Sequence, residues 1–128
     1  LVGTVPDYAF LFVLPDGKQR AFMMELDRST MPVAHRGFTQ SSVEKKLRVY
    51  AAAARASSAA SRWGLETFRV IFVTDKPARS ARIAALARTI HPDLFWTAEL
   101  TGVTAPSMLL PIWRDSAGKG RVLLPQRR

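Results

Sequence analysis

Residues 5–27 read VPDYAFLFVLPDGKQRAFMMELD, two apolar runs separated by a Pro-Asp-Gly step at 15–17. Pro-Asp-Gly favours a turn, because proline presets the backbone of the turn and glycine accepts a positive φ. The stretch therefore predicts a β-hairpin with strands over 5–14 and 20–27. Because both strands carry aromatic and long apolar residues on both faces, we expect the hairpin to lie centrally in a covered sheet.

Downstream of the hairpin, helix and strand patterns alternate. A capping pattern at 41–44 predicts a helix over about 43–62. The run FRVIFVT at 68–74 is typical of an interior strand, and a second helix is expected to begin near Pro77. Two shorter strands are predicted at 94–97 and 121–124. This order predicts an α/β fold in which helices pack against a mixed β-sheet.

The length and composition indicate one domain over 1–128. The chain has 128 residues, no cysteine and 48% hydrophobic residues, enough for one core and too few residues for two. It begins at Leu1 with a strand-like segment, so we expect a C-terminal fragment of a longer protein. Without a membrane-span pattern, a signal-peptide pattern or cysteines, a cytoplasmic location without a membrane partner is expected.

The charge of the chain points to a polyanionic partner. Nineteen basic residues against ten acidic ones give a formal charge of +9, and fourteen of the nineteen are arginine. Arginine grips phosphate with a planar fork of N–H donors, so DNA is the first partner to expect. Six arginines are candidates for phosphate contacts: Arg28, Arg36, Arg48, Arg55, Arg79 and Arg82.

Three carboxylates are expected to meet at the end of the second hairpin strand. Glu25 and Asp27 lie two apart and therefore share a face of the strand, while pairing counted back from the turn places Asp7 near Glu25. Crowded carboxylates repel each other unless a proton or cation intervenes, and their hard oxygens suit Mg²⁺ or Mn²⁺. Alternatively, Arg28 closes a purely structural salt bridge.

The first helix adds a lysine on the side that faces the sheet. On a helical wheel Lys46 lies beside Tyr50, on the flank of the apolar stripe, while Arg48 points away. In one interpretation Lys46 extends along its alkyl stem to water. In the other it reaches the carboxylates, where it could orient a nucleophilic water and stabilise charge on a phosphate.

These spaced motifs resemble two related groups of proteins. Pro-Asp at 6–7, E-x-D at 25–27 and K-x-x-x-Y at 46–50 resemble the PD-(D/E)XK, or restriction-endonuclease-like, superfamily. The run ELDRSTMPVAHRGFTQSSVEKKLRVY at 25–50, followed by FRVIFVT and an arginine-rich helix, resembles the replication-relaxation family of plasmid and mobile-element proteins. The resemblance implies a nuclease-like α/β core that acts on DNA, alongside other replication or mobilisation proteins.

The resemblance also implies roles for individual residues. Asp7 matches the motif aspartate, Glu25 the motif acid and Tyr50 the motif tyrosine. Asp27 stands where the superfamily has its lysine, so the chain departs from the catalytic motif at this position. Lys46 takes the place of the glutamine in RecB-like members and could restore the missing charge.

Three functions remain open from the sequence. In the first, Asp7 and Glu25 hold Mg²⁺ or Mn²⁺, Asp27 is a further ligand or orients Lys46, and Lys46 positions water for DNA hydrolysis. In the second, a nuclease-like fold no longer cuts and serves as a DNA-binding or docking module. In the third, a basic surface serves protein–protein interaction alone.

Overall fold

The computed structural model describes residues 6–28, 43–56 and 68–124, which form one mixed β-sheet of six strands with two α-helices. The strands lie across the sheet in chain order. They are β1 (Tyr8–Val13), β2 (Gln19–Asp27), β3 (Arg69–Thr74), β4 (Phe95–Glu99), β5 (Trp113–Asp115) and β6 (Gly120–Arg121). The helices are α1 (Val43–Arg55) and α2 (Pro77–Ile90), and a short 3₁₀ turn spans Leu100–Gly102.

The first two strands form the predicted hairpin. They are antiparallel, with Tyr8 opposite Met24 and Val13 opposite Gln19. The turn between them closes with a 2.9 Å hydrogen bond from the Gly17 N–H to the Leu14 carbonyl. Gly17 has a φ of 85°, a left-handed conformation that explains the glycine at this point.

The centre of the sheet is parallel. β2 pairs with β3, and β3 with β4, in a register that aligns Asp27, Thr74 and Glu99 at the carboxyl ends of the three strands. α1 connects β2 to β3, and α2 connects β3 to β4. Because such crossovers are right-handed and both run in the same direction, both helices lie on one face of the sheet. The predicted α/β order of hairpin, helix, strand, helix and strand is therefore confirmed.

Each face of the sheet is covered by its own apolar cluster. Leu47 and Tyr50 of α1 and Ile83 of α2 are completely buried against the helix-side face. On the other face, Trp96 and Trp113 pack with residues of the C-terminal segment, including Met108. No helix in the described ranges has the length and apolar character that crossing a bilayer requires.

Several predicted features differ in the structure. The hairpin does not lie centrally, because β1 is an edge strand whose Leu11 and Val13 are 46% and 65% exposed. α1 ends at Arg55, and residues 57–67, which include the rest of the predicted helix, lie outside the described residues, as does the predicted cap. The C-terminal strand predicted at 121–124 is present as β6 but covers only Gly120–Arg121, and its antiparallel partner β5 was not predicted.

Candidate functional site

The register of the hairpin brings Asp7 beside Glu25. Asp7 immediately precedes β1, and its backbone N–H donates a 3.1 Å hydrogen bond to Glu25 Oε2. In return, Asp7 Oδ2 accepts a 2.8 Å hydrogen bond from the backbone N–H of Leu26. Two of the three carboxylates expected at this edge therefore lie side by side.

Glu25 is the most deeply buried acid of this group, at 1% exposure. The Lys46 ammonium lies 2.8 Å from Oε1, and the Tyr50 hydroxyl lies 3.3 Å from Oε2. The contact with Lys46 is an ion pair without good hydrogen-bond alignment, because Oε1 has no hydrogen-bond partner within the described ranges. The helical wheel therefore placed Lys46 on the correct side of α1, and its alkyl stem does not simply lead to water.

Asp27 has a different partner from the one considered in the sequence. Its Oδ1 accepts a 2.9 Å hydrogen bond from Arg79 Nη2, and its Oδ2 pairs with Arg79 Nε. The side chains of Asp27 and Arg79 are only 6% and 12% exposed. Arg79 therefore uses both oxygens of Asp27 in a bidentate pair, which is the strongest geometry for this combination.

Arg79 was predicted as a DNA contact, and its position in the fold explains the difference. Asp27 is aligned with Thr74 at the end of β3, and α2 begins three residues later at Pro77. The first turn of α2, which contains Arg79, therefore lies next to the carboxyl end of β2. The pair follows from the parallel register of β2 and β3, for which the sequence carries no local signal.

Arg28 does not form the structural salt bridge with the carboxylates that was the alternative to a metal, at least among the described residues. It is exposed and lines an open cleft of about 410 Å³ together with Asp7, Tyr8 and Leu26. The cleft places a cation next to the Asp7 carboxylate at the surface. Asp7 is exposed and is therefore accessible from this cleft.

The carboxylates only partly fit a divalent metal. In the described parts of the chain, no group of three or more histidine or acidic side chains is placed to hold a metal ion. Asp27 is occupied by Arg79, which leaves Asp7 and Glu25. Mg²⁺ often takes only one or two protein carboxylates and completes its shell with water and phosphate oxygens. A two-carboxylate site is therefore chemically feasible, but Lys46 already compensates one of its charges.

The six arginines predicted to contact DNA fall into three groups. Arg48 pairs with Glu44 at 3.0 Å, Arg55 donates to the Ile90 carbonyl and Arg79 pairs with Asp27. Arg28 and Arg82 are exposed and have no ion pair within the described part of the chain. Arg36 lies outside the described residues. Arg28 and Arg82 are therefore the best placed of the six to meet a phosphate.

The chain matches no protein-family model, no curated protein and no solved structure. Its function must therefore be judged from the chemistry of its own side chains. That chemistry is a pair of buried carboxylates, each neutralised by a cation from a different helix, in a chain with a formal charge of +9.

Proposed function

We propose that the domain is a nuclease-like DNA-binding module of a plasmid replication or mobilisation protein, and that its buried carboxylates stabilise the fold. One observation carries the proposal: Lys46 neutralises Glu25, and Arg79 neutralises Asp27. Because both ion pairs form within the chain, neither Glu25 nor Asp27 keeps an uncompensated negative charge that would attract a metal ion.

The energetics of buried ion pairs support this choice. Removing the partner of a buried charge typically costs about 3–5 kcal/mol, because the remaining charge is left uncompensated. A metal ligated by Asp27 would have to displace Arg79 from both carboxylate oxygens and would leave its guanidinium in a site that is 12% exposed. Metal binding at Asp27 therefore works against the stability of the fold.

The outward charge supports a nucleic-acid partner. The chain carries a formal charge of +9, and Arg28 and Arg82 are exposed without an ion pair in the described ranges. Neutralising phosphates with such groups releases counterions, so binding of this kind is sequence-tolerant and sensitive to salt. The resemblance to the replication-relaxation family favours DNA among the possible polyanions.

The test is DNA binding by the purified chain with Mg²⁺ and with EDTA, measured by fluorescence anisotropy at fixed ionic strength. We expect the same affinity in both buffers and no cleavage of the DNA. Glu25→Gln is expected to keep this affinity, provided that circular dichroism shows it folded. Glu44→Gln, which removes a half-buried acid of α1 that is paired with Arg48, is the matched control.

Binding that collapses in EDTA and is lost in Glu25→Gln, but not in Glu44→Gln, would contradict the proposal. So would the absence of measurable DNA affinity at moderate salt, which would favour a protein-interaction domain. If Glu25→Gln does not fold, the comparison of Mg²⁺ with EDTA on the unmodified chain still decides whether a metal is required.

A second candidate is Mg²⁺- or Mn²⁺-dependent hydrolysis of DNA. It is favoured by Glu25 Oε1, whose contact in the described ranges is the 2.8 Å ion pair with Lys46 and not an aligned hydrogen bond, and which lies in the same cluster as Asp7. In this function Asp7 and Glu25 would hold the metal, Tyr50 would fix the orientation of Glu25, and Lys46 would position the attacking water. Asp27 would take no part as a ligand, because Arg79 holds it.

Calorimetric titration of Mg²⁺ and Mn²⁺ separates the two candidates. Binding to the unmodified chain that disappears in an Asp7→Ala, Glu25→Ala double variant would favour hydrolysis. Equal heats of metal binding in both proteins, together with intact DNA after incubation, would favour the DNA-binding module that does not cleave DNA. An Asp16→Ala variant, which removes one exposed acid in the hairpin turn, shows how far the loss of a single negative charge away from the cluster changes the heats.

A further inference from the structure

A second concave site lies at the opposite end of the sheet from the carboxylates. It is a pocket of about 330 Å³. Arg20 lies near the start of β2 and Asp27 at its end, so the two sites are about 23 Å apart along an extended strand. The residues that matter for the chemistry of the pocket are Arg20, Arg69, Arg121, Trp96, Asp93 and Asp115.

The strand register explains why three arginines meet there. Arg69 is paired with Phe22, and Arg20 lies two residues before Phe22 on the same face of β2. Arg121 is paired with Trp113, on the same face as Asp115 of β5. These side chains therefore share the face of the sheet that is not covered by the helices. The arginines are spread over three strands, so no run in the sequence indicates the cluster.

The acidic groups of the pocket do not balance its three guanidinium groups. Arg121 pairs with Asp115 at 2.9 Å, while Arg69 donates to the backbone carbonyl of Asp93 and stacks 4.6 Å from the centre of the Trp96 ring. Arg20 has no carboxylate partner within the described ranges and contacts the Phe22 ring instead. Two carboxylates thus face three permanent cations.

The electrostatics of Arg69 reflect this excess. Burial first, and then the charges of Arg20 and Arg121, lower the pKa of Arg69, although Asp93 and Asp115 act in the opposite direction. Burial also lowers the pKa of Arg20. Partly buried guanidinium groups that repel one another are stabilised by an anion placed between them.

We propose that this pocket binds a phosphate group through Arg20, Arg69 and Arg121. Guanidinium forks match the oxygens of phosphate, and hydrogen bonds to a charged group are shorter and stronger than neutral ones. Trp96 holds Arg69 by stacking, so that its fork is preorganised. The site does not depend on the carboxylate cluster or on the proposed function, and the phosphate can come from nucleic acid or from a small phosphorylated molecule.

The test is titration of the full chain with pyrophosphate at constant ionic strength, followed by two-dimensional NMR of the backbone amides and tryptophan indoles. We expect the indole of Trp96 and the amides of Arg69 and Arg121 to shift with saturation at millimolar concentrations or below. Arg20→Gln is expected to weaken binding about tenfold, the effect of losing one charge-assisted hydrogen bond.

Arg114→Gln is the matched control. Arg114 lies on β5 next to Asp115 but points to the other face of the sheet, and it is exposed. Its replacement removes the same charge and should leave pyrophosphate binding unchanged. If Arg20→Gln does not fold, Arg20→Lys keeps the charge but loses the planar fork, and it should weaken binding several-fold.

Two results would overturn the proposal. One is the absence of saturable shifts at the pocket in the unmodified chain; the other is an equal loss of affinity in Arg20→Gln and Arg114→Gln, which would indicate attraction to net charge alone. A short single-stranded DNA then identifies the source of the phosphate. If it displaces pyrophosphate, the pocket takes a nucleic-acid phosphate; if it does not, the pocket takes a small phosphorylated molecule.

Discussion

Glu25 and Asp27 lie two residues apart on one strand, yet they are neutralised by different helices. Lys46 reaches Glu25 from α1, and Arg79 reaches Asp27 from α2. Leaving either carboxylate buried without a cation would be costly. Each ion pair therefore links one helix to the carboxyl end of β2.

The Asp27–Arg79 pair is expected to be the stronger of the two links. Arg79→Ala should destabilise the domain by about 3 kcal/mol, because it leaves the Asp27 carboxylate buried without a partner. Arg82→Ala, an exposed change on the same helix, should shift stability by no more than about 0.5 kcal/mol. Urea unfolding followed by circular dichroism measures both. Similar losses in the two variants would show that Asp27 is not held by Arg79.

Asp115 offers a second prediction, on pH dependence. Burial alone would raise its pKa, but hydrogen bonds from the Lys119 N–H, the Arg121 side chain and the Ala117 N–H lower the pKa overall. Its carboxylate therefore stabilises the fold above its ordinary pKa of about 4, and this contribution is lost as the pH falls through the lower pKa of the folded state. Asp115→Asn should be about 1 kcal/mol less stable at neutral pH.

The measurement is thermal unfolding of the unmodified chain and Asp115→Asn from about pH 7 to about pH 2. The gap in stability should close at the acidic end, where the unmodified side chain also becomes neutral. A gap that stays constant over the whole range would mean that the charge of Asp115 is not what stabilises the β5–β6 turn.

At the scale of elements, local signals in the sequence were sufficient for the hairpin, both helices and the central strands. The Pro-Asp-Gly turn and the apolar stripe of α1 are encoded within a few residues. The edge position of β1 was not predictable in the same way, because strand order depends on which strands the crossovers place beside β2. β5 and β6 have three and two residues, too few for a periodic pattern.

In the candidate site, too, the contacts that depend on local geometry were predictable and the contact that depends on strand pairing was not. Counting the hairpin register brought Asp7 to Glu25, and a helical wheel brought Lys46 to the correct face. Both steps use geometry within one element or one tight turn. The Asp27–Arg79 pair needs the parallel register between β2 and β3, which no local pattern in the sequence reveals, so Arg79 was predicted to face DNA.

The hairpin turn that sets this register gives a third prediction. Gly17 has a φ of 85°, and Gly17→Ala should cost about 1 kcal/mol although the added carbon would meet no other atom within 4 Å. Gly102→Ala is the control, since Gly102 also has open space around it but not a positive φ. Thermal unfolding of both variants checks the prediction. Equal stability would mean that the turn adopts another conformation without loss.

At the scale of the whole molecule, both faces of the sheet are largely covered, and the two concave sites lie at its ends. The two helices cover one face, and residues of the C-terminal segment cover the other. The carboxylate cluster with Arg28 lies at one end, and the arginine pocket lies at the other. Because the ends are so far apart, side chains at one end can be changed with little direct effect on the other.

This separation allows the DNA contacts proposed for Arg28 and Arg82 to be located by salt dependence. Each phosphate contact contributes about 0.9 to the slope of the logarithm of affinity against the logarithm of salt concentration for duplex DNA. Arg28→Gln and Arg82→Gln should each lower the slope by about that amount. Lys18→Gln, which removes a charge in the hairpin turn at the other end of β2, should leave it unchanged.

Fluorescence anisotropy over a series of salt concentrations gives the slopes, and each variant is compared with the unmodified chain on the same duplex. Equal reductions in all three variants would contradict a localised interface, because they would show that DNA responds to the net charge of +9 wherever that charge lies. A reduction confined to Arg28 and Arg82 would place the duplex along the carboxyl end of the sheet. DNA would then lie close to the cleft beside Asp7. Comparing this DNA complex in Mg²⁺ and in EDTA would distinguish binding without cleavage from metal-dependent hydrolysis.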